Sequence, residues 1–303
     1  MPIEIPPALA DTQRAEGGAW VRDLPALVDR MVGQWSLRFD GPVAHGMAGL
    51  VLPVVRDGVP AVLKLQPVEE DNADTAAGLR TWHGDGAVLL LDHDEPTGAV
   101  LLERLDATRP LFALEDDLDR LAVIADLLAR LTAVRAPAGV RWLADVATAM
   151  LDQVPSAVPL LRDPAEQELV RTCAAAVAEL VGEAGDRLLH WDLHDGNVLA
   201  GTREPWLAID PQPLAGDPGF DLLPALNERW AAIVATGDVA GAVRYRFDLL
   251  TDRLGLDRTR ATVWTLGRVL QNALWDIEDG KHTLEVSQVA IAAALHTPRA
   301  RRP

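Results

Sequence analysis

The sequence predicts an α+β chain of two lobes: a small β-rich N-terminal lobe over residues 1–105 and a larger, mainly helical C-terminal lobe over residues 106–303. Three observations lead there. Between Leu37 and Leu105 the apolar residues come in short runs broken by turn signals, whereas after Leu105 they recur at steps of three and four. No internal repeat or low-complexity tract interrupts either pattern, which excludes a solenoid. A chain of 303 residues buries roughly 75% of its unfolded surface, enough for one large or two medium domains.

In the N-terminal part, residues 50–55 and 60–65 flank Arg56-Asp57-Gly58-Val59, a hairpin turn signal. Residues 87–91 and 99–102 form a second pair around Asp94-Glu95-Pro96-Thr97-Gly98, and residues 73–82 between the pairs read as a short helix. Further on, Leu118, Leu121, Ala125, Leu128 and Leu131 mark one buried helix face. Asp163-Pro164 followed by Glu166 starts another helix, because an aspartate accepts from free amides, proline fits the first turn and an acid meets the positive end. That helix turns Leu169, Cys173, Val177 and Leu180 inward and stops near Gly182 or Gly185. Short strands at 188–190, 198–199 and 206–209 follow, and helices run to the end.

The charge balance is 28 basic against 45 acidic side chains, a net −17. Such a field repels nucleic acid and anionic lipid and concentrates cations. The solitary Cys173 excludes a disulfide framework and a thiolate zinc cluster, and fits a reducing compartment. No uncharged apolar stretch reaches the roughly 18 residues of a membrane helix, and Met1-Pro2-Ile3-Glu4 lacks the basic start of a signal peptide. The expectation is a cytoplasmic monomer with no nucleic-acid or membrane partner.

The chemistry-bearing stretch is His190-Trp191-Asp192-Leu193-His194-Asp195-Gly196-Asn197. It has the His-x-Asp-x-x-x-x-Asn spacing of phosphotransferase catalytic loops. A strand ending near Asp192 aims its carboxylate at an incoming hydroxyl, while Asn197 turns back to hold a metal. Thirteen residues beyond Asn197, the apolar run Trp206-Leu207-Ala208-Ile209 ends in Asp210. Carboxylate and amide oxygens are the hard ligands Mg²⁺ takes, with nucleotide phosphates completing its shell. Lys64, one of only two lysines, ends Ala61-Val62-Leu63 and matches the strand lysine that grips the α- and β-phosphates. Upstream, Ala44-His45-Gly46-Met47-Ala48-Gly49 lies in the hairpin that would fold over those phosphates, with Gly46 and Gly49 as candidate contacts, although it is not a full Gly-x-Gly-x-x-Gly. Order and spacing together predict a kinase-like, two-lobed phosphotransferase using ATP and Mg²⁺.

The stretch from Leu189 to Leu199 followed by Trp206 to Pro211 resembles the aminoglycoside phosphotransferases. Gly216-Asp217-Pro218-Gly219-Phe220-Asp221-Leu222, Leu101-Leu102-Glu103-Arg104-Leu105 and the segment from Asn272 to Gly280 resemble the branch of streptomycin 6-kinases and hydroxyurea phosphotransferases. The resemblance implies Asp192 as catalytic base, Asn197 and Asp210 as magnesium ligands, and Lys64 as the phosphate contact. Glu103 to Leu105 would be the inter-lobe hinge offering backbone groups to adenine, and Asp221 would brace the catalytic loop. His190 and His194 read as packing and hydrogen-bonding residues of that loop.

For the acceptor, the resemblance points to Asp217, Glu228, Trp275, Asp276, Glu278 and Asp279 in the helical lobe. Carboxylates pair with the two guanidinium groups of streptomycin and indole faces stack on them. Trp264 and Trp275, at helical spacing, also read as core. The implied activity is transfer of the γ-phosphate to an aminoglycoside hydroxyl, the 6-hydroxyl of streptomycin, which inactivates the antibiotic. The alternatives are a kinase of another small hydroxyl acceptor, such as hydroxyurea or an amino sugar, and a catalytically silent nucleotide-binding protein. Two departures from protein kinases stand out. Pro211-Gln212 follows Asp210, and only ten residues separate Asp210 from Asp221, which leaves no room for an activation segment and disfavours a protein substrate. The helix at 73–82 holds no glutamate for Lys64, leaving Glu69, Glu70 and Asp74 as candidate partners.

Overall fold

An antiparallel sheet with the strand order β1-β3-β4-β6-β5 organises the first third of the computed structural model, which describes residues 5–7, 9, 19–46, 49–69 and 72–296. Helix α1 (Ala19–Gln34) leads into β1 (Arg38–Phe39), β2 (Ala44–His45), β3 (Leu50–Arg56) and β4 (Val59–Leu65); α2 (Thr75–Trp82), β5 (Leu90–Asp94) and β6 (Ala99–Glu103) follow. Strand β2 also pairs with β3. The β3–β4 turn forms where the sequence places it. Asp57 (φ 52°) and Gly58 (φ 83°) both take the left-handed conformation that a tight two-residue hairpin needs.

Side-chain alternation gives this sheet two different faces. Leu50, Leu52, Val54, Leu63, Leu65 and Leu101 pack with Leu24, Val28 and Met31 of α1 in one core. Val100 and Leu102 point the other way and join Leu79 and Trp82 of α2 in the core of the helical lobe. Lys64, between Leu63 and Leu65, therefore faces the helical lobe. Helix α1 was not anticipated from the sequence, although Leu24, Val28 and Met31 are spaced for one buried face. The strand expected at 87–91 is displaced to Leu90–Asp94. Its start is drawn out of the sheet, because Val88 N donates to Ala208 O (2.8 Å) and Ala208 N to Gly86 O (2.9 Å).

The helical lobe contains β7 (Asp106–Pro110), α3 (Asp117–Leu131), α4 (Leu143–Ala157), α5 (Pro164–Leu180), β8 (Arg187–Leu189), β9 (Val198–Ala200), β10 (Leu207–Ala208) and β11 (Leu214–Gly216). It closes with α6 (Leu222–Asn227), α7 (Trp230–Ala235), α8 (Val239–Leu254), α9 (Arg258–Glu278) and α10 (Val286–His296). Two small sheets, β10-β9-β7 and β11-β8, carry the loops of interest. Asp163 caps α5 by accepting from Ala165 N at 2.8 Å, and Cys173 and Val177 are buried, while Leu169 and Leu180 are only partly so. Among the described residues no helix is long and apolar enough to cross a membrane.

Two burial expectations are corrected. Leu118 is 47% exposed, because it lies in the first turn of α3, where Asp116 caps the Leu118 and Asp119 amides; the buried face begins at Leu121. Trp264 is fully buried, edge-on to Phe220, whereas Trp275 is 44% exposed. Eleven residues make about three turns, so both share one face of α9. The C-terminal end of that helix runs past the core to a cavity beside Asp192.

Helix α2 crosses the lobe boundary closely at Gly78, where a β-carbon would stand 2.5 Å from Pro213 Cγ. Alanine would gain about 1 kcal/mol of helix propensity but lose about 1–3 kcal/mol to overpacking against a rigid ring. Gly78→Ala is expected to lower the thermal unfolding midpoint by a few degrees; a midpoint equal to or above wild type would show that the contact yields.

Candidate active site

The site is built around a buried carboxylate. Asp221, at the end of the turn Pro218–Asp221, has no exposed surface. Its Oδ2 accepts from His190 N at 2.8 Å and its Oδ1 from Trp191 N at 2.6 Å. Burial pushes its pKa up to about 6, with the two amides and the Arg268 guanidinium opposing. This grip fixes the chain as it leaves β8. The next residue turns sharply, since Trp191 takes φ 66°, a left-handed conformation costly for a bulky side chain. Its indole Nε1 donates to Gln271 Oε1 at 3.0 Å, which helps hold that geometry.

His190 is fully buried and stacks on Trp82, with ring centroids 6.3 Å apart. Burial lowers its pKa to about 4, so the imidazole is neutral near pH 7. Its Nε2 donates to Ile209 O (3.0 Å) and its Nδ1 accepts from Asp192 N (3.4 Å). Both ring nitrogens are thus engaged in the loop. His194 Nδ1 accepts from Gly196 N at 3.1 Å, and its Nε2 lies 3.8 Å from Asp192 Oδ2.

Asp192 and Asn197 are in direct contact. The Asn197 side-chain amide donates to Asp192 O (2.9 Å) and Oδ2 (3.3 Å). Burial raises the Asp192 pKa; His194, Arg268 and Asn197 oppose the rise. Ile209 N donates to Asn197 O at 2.8 Å, which brings the end of β10 beside the loop. Asp210 follows at φ 55°, a second strained position. Its Oδ1 accepts from Lys64 Nζ at 2.7 Å across the lobe boundary. Lys64, Asp192, Asn197 and Asp210 therefore meet in one place, joined pair by pair.

The partner of Lys64 is thus Asp210, which was not among the candidates offered by the sequence. Asp74 instead accepts from Arg141 N at 3.0 Å, Glu69 lines a cavity on the far side of Trp191, and Glu70 lies outside the described residues. Gly46 N donates to Gly49 O at 3.0 Å, closing the turn whose Met47 and Ala48 also lie outside the described residues. A β-carbon on Gly49 would stand 2.9 Å from Leu65 O and 3.6 Å from Lys64 Cε, so the turn packs on the β4 backbone beside the lysine as only glycine permits. Glu103 is heavily engaged: its amide donates to Leu89 O (2.9 Å), and its carboxylate accepts from Leu89 N and Arg203 Nη2, both at 2.7 Å. Leu105 packs, half-buried, against the helical core.

The residues proposed for the acceptor separate. Trp275, Glu278 and Asp279 line a cavity of about 420 Å³ with Asp192, Gln212 and Arg268. Glu228 sits on another side of the loop, accepting from Asp195 N (3.4 Å) and lying 3.9 Å from His194; burial and Asp195 push its pKa up to about 7. Asp217 and Asp276 are occupied elsewhere. Asp217 is buried, caps Gly219 N and pairs with Arg260 at 2.5 Å, while Asp276 pairs with Lys281 at 2.7 Å. Arg268 and Gln212 were missed. A lone arginine within Leu266-Gly267-Arg268-Val269-Leu270 was the available signal, since a charge in a buried run calls for an explanation.

A strand lysine facing an aspartate, an asparagine and a second aspartate, held between a sheet lobe and a helical lobe, defines a kinase-like phosphotransferase. The crystal structure of the aminoglycoside phosphotransferase APH(4)-Ia shares the fold, with a TM-score of 0.61 at 15% identity over 89% of this chain and 97% of that one. At the level of sequence, residues 34–280 match the family described as aminoglycoside/hydroxyurea antibiotic resistance kinase. The streptomycin 6-kinase of Streptomyces glaucescens is 59% identical over 298 residues, 97% of each chain. The hydroxyurea phosphotransferase of Kitasatospora aureofaciens is 55% identical over 300 residues, 97% of this chain and 86% of that one. The chain belongs to the aminoglycoside/hydroxyurea antibiotic resistance kinase family.

The neutral, buried His190 links the site to stability. Its pKa is about 4 in the folded chain against an unperturbed 6.5, so between those values the unfolded chain binds the extra proton. Its contribution is full above pH 6.5 and is lost as pH falls toward 4, up to about 3 kcal/mol. The gap in thermal midpoint between wild type and His190→Asn should narrow as pH is lowered from 7 to 4.5. A constant gap would contradict the neutral assignment.

Proposed function

We propose that this chain is an ATP- and Mg²⁺-dependent kinase that phosphorylates a hydroxyl of an aminoglycoside, with the 6-hydroxyl of streptomycin as acceptor. The observation that carries this reading is the convergence of Lys64, Asp210, Asn197 and Asp192 beside a cavity walled by Trp275, Glu278 and Asp279. The nucleotide lies between a lobe of residues 1–105 and one of residues 106–303. The stretch from Glu103 to Leu105 offers backbone groups to adenine, and the Gly46–Gly49 turn covers the phosphates. Asp221, His190 and His194 hold the loop without touching the reacting atoms.

The donor set suits a hard divalent cation. The Asn197 amide nitrogen is committed to Asp192, which leaves its oxygen to offer, and Asp210 adds carboxylate oxygens. Bound there, Mg²⁺ would neutralise charge on the triphosphate. The chain's own residues do the rest by positioning. Lys64, held on β4 facing the cleft, contacts the phosphates. Asp192 accepts the proton of the acceptor hydroxyl as its oxygen bonds to the γ-phosphorus and the bond to the β–γ bridging oxygen breaks, releasing ADP. A raised Asp192 pKa makes it a better proton acceptor than an exposed aspartate.

The cavity favours a cationic acceptor. Among the described residues neither Glu278 nor Asp279 is in an ion pair, and Trp275 presents a half-exposed indole to the same cavity. Guanidinium groups pair with carboxylates and stack on indoles, and the net charge of −17 steers them in. Phosphorylation then adds a dianion to a drug that binds through its cations. The enzyme acts as a cytoplasmic monomer.

With MgATP, the purified chain should release ADP on addition of streptomycin but not of kanamycin, hydroxyurea or a peptide. Asp192→Ala should lower that turnover by at least about a hundredfold with little change in nucleotide affinity. Turnover of hydroxyurea alone would shift the acceptor assignment, and near-normal turnover by Asp192→Ala would remove its role as base.

A further inference from the structure

Beneath the acceptor cavity lies a charge that the reaction does not account for. Arg268, on α9, is 6% exposed and lines the same cavity as Asp192 and Trp275. Its guanidinium carbon sits 5.1 Å from the Trp275 ring centre and 5.7 Å from that of Trp191, whose rings are 6.4 Å apart. One guanidinium nitrogen donates to Gln271 Oε1, the atom that also receives the Trp191 indole, while its Nε has no hydrogen-bond partner among the described residues. Its charge acts on both Asp192 and Asp221.

Burying an arginine beside an aromatic pair, with one donor unmatched, costs stability that an apolar side chain would not. A residue kept there at that cost has work to do in the cavity. We propose that Arg268 is the positioning residue of the acceptor cavity: it holds Trp275 as the cavity wall and offsets the Asp192 carboxylate at the cavity floor, so that an uncharged hydroxyl face of the acceptor, not one of its cations, is presented to Asp192. This rests on the kinase reading above and deepens it.

Of the two acids that feel Arg268, Asp192 lines the cavity and Asp221 lies fully buried behind the loop, so without Arg268 the floor would attract an acceptor's own guanidinium. With Arg268 in place that attraction is cancelled in part, and the cations go to the rim, where Glu278 and Asp279 are not in ion pairs. At an effective dielectric constant of about 20, a unit charge about 5 Å away changes the preference for a second charge by roughly a hundredfold or more. That is enough to decide which end of a dicationic acceptor enters first. The guanidinium also lies within cation–π distance of both indole rings, with a planar fork that a lysine ammonium lacks.

The test compares wild type, Arg268→Ala and Arg268→Lys with MgATP, using streptomycin and hydroxyurea as acceptors and recording the nucleotide KM in parallel. With streptomycin, Arg268→Ala should lose at least about a hundredfold in kcat/KM for acceptor, with the ATP KM within about threefold of wild type, whereas a wild type that phosphorylates only the uncharged hydroxyurea would overturn the inference. Guanidinium chloride at tens of millimolar should restore at least tenfold of that loss, whereas urea, uncharged and similar in shape, should not. Acceptor turnover by Arg268→Ala within threefold of wild type, an equal loss of ATP affinity, or rescue by urea as effective as by guanidinium would each overturn the inference. If Arg268→Ala does not fold, Arg268→Lys decides: a tenfold or greater rise in acceptor KM at unchanged ATP KM supports the role, and an unchanged acceptor KM removes it. Absence of ADP release by wild type with either acceptor rejects the kinase reading and the inference together, whereas normal wild-type release with unimpaired Arg268→Ala rejects the inference alone.

Discussion

One carboxylate, Asp221, sets the geometry on which the rest of the site depends. A buried aspartate is costly on its own, and here it is compensated by two main-chain amides and the nearby charge of Arg268. In return it anchors consecutive residues, His190 and Trp191, at the point where the chain leaves a strand and must reverse. Trp191 could not hold a left-handed conformation without such a clamp, because a bulky side chain there costs about 1–2 kcal/mol. Once the clamp is in place, the remaining contacts follow in order. His190 bonds forward to Asp192 and sideways to Ile209, Asn197 closes on Asp192, and the Ile209 amide docks on Asn197.

The second requirement is that the sheet lobe deliver its lysine to this loop. Alternation along β4 is sufficient to aim Lys64 at the helical lobe, and its pairing with Asp210 joins the two halves across the cleft. A separate brace stands at the end of β6. Arg203 binds the Glu103 carboxylate and the carbonyls of Gly84 and Ala87, Glu204 joins Arg203 to Arg130, and Arg130 in turn pairs with Asp85. Exposed ion pairs contribute little singly, but this group links the end of β6, the segment before β5 and α3, so it ties the chain at Glu103 to both. The cleft is thus framed by one contact at its front and a network at its back.

Much of this was legible in the sequence, for identifiable reasons. The β3–β4 hairpin, the cap at Asp163 and the loop from His190 to Asn197 are local: neighbouring residues carry the whole signal. What sequence could not supply was pairing between distant segments. The displaced start of β5 depends on Ala208, more than a hundred residues away, and the partner of Lys64 proved to be Asp210 rather than any residue of the helix after β4. The acceptor residues divided for the same reason. Asp217 and Asp276 look like Glu278 and Asp279 in sequence, and only the positions of Arg260 and Lys281 show that the first two are already paired. Arg268 was visible as a charge in an apolar run, but its place beside two indoles was not.

The account stands on the idea that a fixed loop, not the mere presence of acidic residues, makes the cleft competent. Replacing Asp221 with asparagine keeps its size but leaves one oxygen for two amides, and measuring kcat, nucleotide Kd and thermal midpoint of Asp221→Asn puts that idea to the test. The expected result is a fall in kcat of at least about tenfold with nucleotide Kd nearly unchanged, and a loss of about 1–3 kcal/mol in stability. Full turnover in Asp221→Asn, with the loop amides no longer both held, would contradict it.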